Sequence, residues 1–237
     1  MKKYLFAAVL LSLASNPLPA SCAASTEQSV DLFASAPLLF WNDSQSRLEG
    51  LLRESLRPGA DKKAVYERIW NIFGEDWAVM FTDFSGFTRT DLELGTPQSL
   101  ALIYASQMLQ FGQVEKHDGI VARIRADGLM ILFRKPEQAV NCAVAIQRAI
   151  KSYNSGIKNP KEHLRIYVGI GYGRVLNIGN KEVYGAEVNA AANLQGEAKA
   201  GGIMVTKAVK EKVQALGEGV AFGPRQDFEG GSYRVNY

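Results

Sequence analysis

The order of apolar runs and helix signals between Asp76 and Ile178 constrains this chain more than any other feature. The apolar run from Trp77 to Asp83 predicts a buried strand. Thr96 and Pro97 then mark the start of a helix whose apolar positions include Leu100, Ile103, Tyr104, Met108 and Phe111. "GIVARIRADGLMILF" predicts two strands folded on each other around Ala126-Asp127-Gly128, and a second helix runs from Pro136 to about Tyr153. "LRIYVGIGYGRVLNI" predicts a strand that turns back on itself, with Gly169, Gly171 and Gly173 relieving crowding at the turn. Strand, helix, hairpin, helix, strand is a split strand-helix-strand order. The expected class is therefore α+β, a ferredoxin-like, palm-type sheet, largely antiparallel, with helices on one face. A helix near residues 186–199, the strand "GIMVT", a helix to about Ala215 and a closing hairpin ending in "SYRVNY" extend it.

Ahead of this domain stand two short amphipathic helices. "SQSRLEGLLRESL" places Leu48, Leu51, Leu52 and Leu56 at helical spacing, and "DKKAVYERIWNIFG" does the same with Val65, Ile69 and Ile72 between Asp61 and Gly74. The expected organisation is a signal peptide over 1–24, a strap and the two helices over 25–75, and the main domain over 76–237. Lys2-Lys3, the apolar run Tyr4 to Ala14, Pro17, Pro19 and "ASCAAS" have the order of an export signal. The apolar run is shorter than the roughly 20 residues a spanning helix needs. Cleavage after Ala24, a lipid-bearing N-terminus at Cys22 and an uncleaved anchor are the three outcomes this order allows. All three place the bulk of the chain outside the cytoplasm, in a periplasm or cell envelope, with the membrane touched only through such a lipid or anchor.

The formal charge of +3 comes partly from Lys2 and Lys3, and no dense Lys/Arg stripe follows, so no nucleic-acid footprint is expected. Cys142 lies among Ala143, Val144 and Ile146 and reads as a small core residue, while His117 and His163 read as surface or capping residues. No Cys/His spacing of a metal site occurs.

The chemistry rests on two acids. Asp83 ends the first strand, and Asp127 starts the return arm of the hairpin. A strand that follows a crossover helix runs parallel to the first, so the return arm runs antiparallel and can lie beside it. Asp83 and Asp127 then converge. Two adjacent carboxylates repel unless a cation sits between them, and hard oxygen ligands select Mg²⁺ or Mn²⁺. Such a pair suits phosphoryl or nucleotidyl transfer with two metal ions.

"FTDFSGFT", "VARIRADGLMILF", "GIGYGRVLNIG", "YGAEVNAAANL" and "AGGIMVT", in this order and spacing over about residues 76–210, resemble the class III adenylate and guanylate cyclase catalytic domain. The resemblance implies a nucleotide cyclase fold and two Mg²⁺ or Mn²⁺ ions per site held by Asp83 and Asp127, with the backbone through Phe84, Ser85 and Gly86 near the triphosphate. It implies that Arg123 stands for the family's adenine-reading Lys and Glu182 for its base-reading Asp, with ATP expected ahead of GTP. Asn189 matches the Asn that orients the ribose. Asn193 replaces the family's Arg that stabilises charge on the transferred phosphate, which is the main departure. Arg174 either compensates near the phosphates or is a solvated strand-end charge. The family's site is shared between two chains, so the resemblance implies a homodimer acting on a nucleoside triphosphate.

Two functions follow as expectations. One is a cyclase that converts a nucleoside triphosphate to the 3′,5′-cyclic monophosphate and pyrophosphate. The other is an envelope module that keeps the acids for a bound cation, nucleotide or protein. The intact Asp83, Asp127 and Asn189 favour the first, and Asn193, Arg123 and the export signal favour the second.

Overall fold

The computed structural model describes residues 44–85, 87–180, 182–198, 201–216, 219–228 and 230–237, without the side chains of 87–90. The expected signal peptide, the strap over 25–43 and Gly86 lie outside the described residues.

Helices α1 (Ser44–Ser55) and α2 (Lys62–Phe73) form the expected amphipathic pair. Asp61 caps α2 by accepting from the Ala64 N–H at 3.1 Å. Leu48, Leu51, Val65, Ile69 and Phe73 are buried together against Ile178, so the pair packs on the far end of a strand of the main domain. Leu52, Leu56 and Ile72 point to solvent.

Strand β1 (Gly74–Phe84) is followed by α3 (Phe87–Leu94), α4 (Thr96–Lys116), the hairpin β2 (Ile120–Arg125) and β3 (Gly128–Phe133), and α5 (Pro136–Ser155). Then come β4 (Ile166–Ile178), β5 (Glu182–Tyr184), α6 (Ala186–Glu197), β6 (Ile203–Thr206), α7 (Lys207–Ala215), β7 (Ala221–Phe222) and β8 (Ser232–Asn236). The sheet order is β2-β3-β1-β4-β6-β8-β7, with β5 paired to β4. Among these pairings only β4 with β6 is parallel, so the sheet is mostly antiparallel and the class is α+β as expected.

Strand alternation divides β1 between two cores. Ala78, Met80 and Phe84 join residues of α4, α5 and α7 on one face. Trp77, Val79 and Phe81 face the other way, with Met130, Leu132, Val183 and, from α6, Val188 and Ala191. Helices therefore cover both faces rather than one, and α6 stands on the opposite side from the rest.

Two element readings change. The segment expected to turn back on itself is one continuous 13-residue strand, and the reversal comes later, at Gly179 and Asn180, both with positive φ. The three glycines serve a different need. A Cβ on Gly169 would strike the Ala191 carbonyl and the Gln195 amide, one on Gly171 the Glu187 carbonyl, and one on Gly173 would lie 2.9 Å from Glu187 Cγ. The stripe lets the backbone of α6 lie directly on β4. Helix α4 keeps two of its expected apolar positions inside, Ile103 in the core and Phe111 packed against it, and turns the other three out. Leu100, Tyr104 and Met108 are 55%, 66% and 51% exposed, whereas Leu102, Ile103, Ser106, Gln110 and Val114 are buried. Two of its buried polar residues are joined in a chain with Thr82: Thr82 Oγ1 donates to Gln110 Oε1 at 2.6 Å, and Gln110 Nε2 to Ser106 Oγ at 3.1 Å.

Candidate active site

The antiparallel register of β1 and β3 pairs Thr82 with Leu129, which brings Asp83 level with Gly128 at the end of the hairpin. Arg125 pairs with Gly128, so Ala126 and Asp127 form a two-residue turn, with Ala126 at φ 49°. A Cβ on Gly128 would sit 2.9 Å from the Thr82 carbonyl and 3.4 Å from Asp83 Oδ1. Glycine at 128 thus lets the turn close against Asp83. The two acids meet as the topology predicted.

Asp83 carries the electrostatic mark of this meeting. Burial, and then the charge of Asp127, hold its carboxyl above the ordinary aspartate value. The Gln195 amide and the Phe84 backbone N–H act in the opposite sense. Gln195 Nε2 donates to Asp83 Oδ2 at 3.3 Å from helix α6.

Asp83 and Asp127 open onto a cleft of about 550 Å³, which Arg123, Arg125, Asn189 and Gln195 also line. Arg123 and Glu182 form an ion pair at 2.6 Å, and the Tyr184 hydroxyl donates to the other Glu182 oxygen at 3.1 Å. The residues assigned to the base are therefore partners of each other in a single chain. Among the described residues no group of three or more His, Cys, Asp or Glu is assembled. The protein's side chains offer two carboxylates here, Asp83 and Asp127. That all-oxygen donor set fits Mg²⁺ or Mn²⁺ and not a thiolate- or imidazole-seeking metal.

Other assigned residues lie elsewhere. Phe84 is buried in the core of the opposite face, and the Ser85 N–H donates to the Arg165 carbonyl at 2.8 Å while its hydroxyl pairs with that of Tyr167 at 2.7 Å. Neither lines the cleft. Asn193 is exposed one turn beyond Asn189 and is not among the cleft residues. Arg174 pairs across β4 with Asp76, seven residues from Asp83 along β1, roughly 23 Å at ~3.3 Å per residue. There its Nη2 donates to the Trp70 carbonyl at 3.2 Å and its guanidinium lies 5.5 Å from the centre of the Trp70 ring, so within one chain it braces α2 and does not reach the acids.

Sequence reasoning missed Arg125, Gln195 and Tyr184. The alternation Arg123-Ile124-Arg125 puts both arginines on one face of β2, a signal legible in the strand itself. Gln195 and Tyr184 owe their places to how α6 and β5 pack, which no local spacing encodes.

The chain belongs to the adenylate and guanylate cyclase catalytic domain family, whose model matches residues 74–230. It is 27% identical over 135 residues to the serine/threonine-protein kinase pkn2 of Myxococcus xanthus, an alignment covering 57% of this chain and 16% of the kinase. A relative from Rhizobium meliloti (strain 1021) is 28% identical over 137 residues, covering 57% of this chain and 23% of its own length. The chain thus spans less than a quarter of these curated relatives. Among solved structures, the adenylate/guanylate cyclase/hydrolase from Silicibacter pomeroyi aligns with a TM-score of 0.58 at 20% identity, over 69% of this chain and 98% of that one. The adenylyl cyclase CyaB from P. aeruginosa aligns with a TM-score of 0.57 at 22% identity, over 69% and 95%. These likenesses establish the fold.

Proposed function

We propose that the protein is an exported class III nucleotidyl cyclase that converts a nucleoside triphosphate, ATP ahead of GTP, to the 3′,5′-cyclic monophosphate. The observation that carries this reading is the meeting of Asp83 and Asp127 in an open cleft of the chain. Asp83 and Asp127 would hold the Mg²⁺ or Mn²⁺ ions, two per site. Bound there, such ions lower the pKa of a substrate hydroxyl and screen the phosphates.

The chain's own groups do the positioning. Asn189 orients the ribose so that its 3′-oxygen faces the α-phosphorus, and Arg123 with Glu182 takes the edge of the base. The oxygen–phosphorus bond forms as the bond to the pyrophosphate leaving group breaks, and the hydroxyl proton passes to solvent water. Holding the reacting atoms in line accounts for much of the acceleration in such reactions. Two copies of the chain related by a two-fold axis complete two equivalent sites, each with acids from one copy and base- and ribose-binding residues from the other.

One observation favours the second reading, a binding module in the cell envelope. Helix α6 lines the cleft with Val188, Asn189, Ala192 and Gln195, and none of these is cationic. Loss of one charge partner of the transition state costs on the order of 10²–10³ in rate. Incubation of the protein with Mn²⁺ and ATP or GTP decides between the two. The cyclase reading expects cyclic product that Asp83→Ala abolishes. It also expects Asp83→Ala and Asn189→Ala, each inactive alone, to restore turnover when mixed, because one of the two shared sites is then intact. Absence of metal-dependent product from either nucleotide would overturn the cyclase reading in favour of the module.

A further inference from the structure

Two cations line the cleft, and they stand in different circumstances. Arg123 is engaged with Glu182 at 2.6 Å. Arg125, two residues on, shares its face of β2 by strand alternation and directly precedes the turn that carries Asp127. It is exposed and makes no ion pair among the described residues. An exposed guanidinium that lines the same cleft as two carboxylates, and is bonded to neither, is placed to meet an anion that those carboxylates bring in through a metal ion.

We propose that Arg125 is a phosphate-binding residue of the cleft. It takes the triphosphate chain of a nucleotide held at Asp83 and Asp127, and supplies from strand β2 the positive charge that Asn193 does not supply from α6. The inference rests on the reading of the cleft as a nucleoside triphosphate site. The division of labour follows from position. Arg123 is held by Glu182, which also accepts from Tyr184, whereas Arg125 directly precedes the turn that carries Asp127 and so stands on the side of the metal acids of its own chain. Its planar fork can donate two parallel N–H bonds to neighbouring phosphate oxygens, which an ammonium cannot do. With its side chain in solvent, substitution removes no core contact.

The test separates phosphate from base. Calorimetry with Mn²⁺ present is run with pyrophosphate, with ATP and with adenosine, on the parent, Arg125→Gln, Arg125→Lys and Asp83→Ala. Arg125→Gln is expected to weaken pyrophosphate and ATP by roughly tenfold to a hundredfold, the range of a hydrogen bond to a charged group, and to leave adenosine unchanged. Arg125→Lys is expected to recover part of the loss, since charge remains without the fork. Equal melting temperatures for parent and Arg125→Gln exclude a folding effect. Unchanged pyrophosphate affinity in Arg125→Gln, where Asp83→Ala has lost it, overturns the role of Arg125 alone. Parent-like pyrophosphate binding in Asp83→Ala, or none in the parent, overturns the triphosphate reading of the cleft and this inference with it.

Discussion

Asp83 is placed where its charged form costs stability. Its carboxyl is held above the ordinary range first by burial and then by Asp127, so the folded chain keeps the Asp83 proton to higher pH than the unfolded chain does. With a raised acid pKa, the native state is favoured where the group is protonated, and stability falls as pH rises through the interval between the ordinary and the shifted value. Asp83→Asn removes that fall. The variant is expected to melt higher than the parent near neutral pH, with the two curves converging as pH drops below the ordinary aspartate value, in thermal melts of the metal-free protein. A parent that melts no lower than Asp83→Asn near neutrality would contradict the strained pair. Asp83 and Asp127 were legible in the sequence because one ends an apolar run and the other follows a hairpin signal, and strand direction joins them. Cys142 was legible too: it is fully buried, and burial pushes its thiol up to about 12, which leaves it an inert core residue.

At the scale of elements, the seat of α6 on β4 decides where Asn189 and Gln195 stand. Backbone meets backbone there with no side chain between, so a methyl group has nowhere to go. Gly169→Ala would drive its Cβ into the Ala191 carbonyl and the Gln195 amide, and is expected to destabilise by about 1–3 kcal/mol or more in urea denaturation. Gly173→Ala meets only the flexible Glu187 side chain and is expected to cost less. The reverse order would mean that α6 does not rest on this stripe. The sequence reading placed a turn at these glycines because a missing Cβ serves sharp bends and close packing alike, and the two cannot be told apart without knowing what lies above the strand. The same limit applied to α4. Its apolar Leu100, Tyr104 and Met108 suggested the inner face, but the Thr82–Gln110–Ser106 chain of hydrogen bonds lets polar residues take it, and Thr82 is 28 residues from Gln110.

At the scale of the whole molecule, the mostly antiparallel sheet followed from element order, because short connections between alternating strands and helices leave few topologies. Helices on both faces did not follow, since α6 reaches the second face only through the glycine stripe. The address of the protein is argued from its first residues alone. A reporter that is active only outside the cytoplasm, fused after residue 43, is expected to be active, and silence of that fusion with activity of a cytoplasmic reporter would place the cyclase reading back among intracellular triphosphates. The Arg123–Glu182 pair would give the proposed nucleotide recognition a particular form. On the proposed reading an incoming base would not fall between waiting groups; it would trade places with a bond already made, so its apparent affinity would record the surplus of the new partnership over the old. Salt loosens both sides of that exchange. Discrimination between purines at this cleft should therefore depend on ionic strength far less than the grip on their phosphates does.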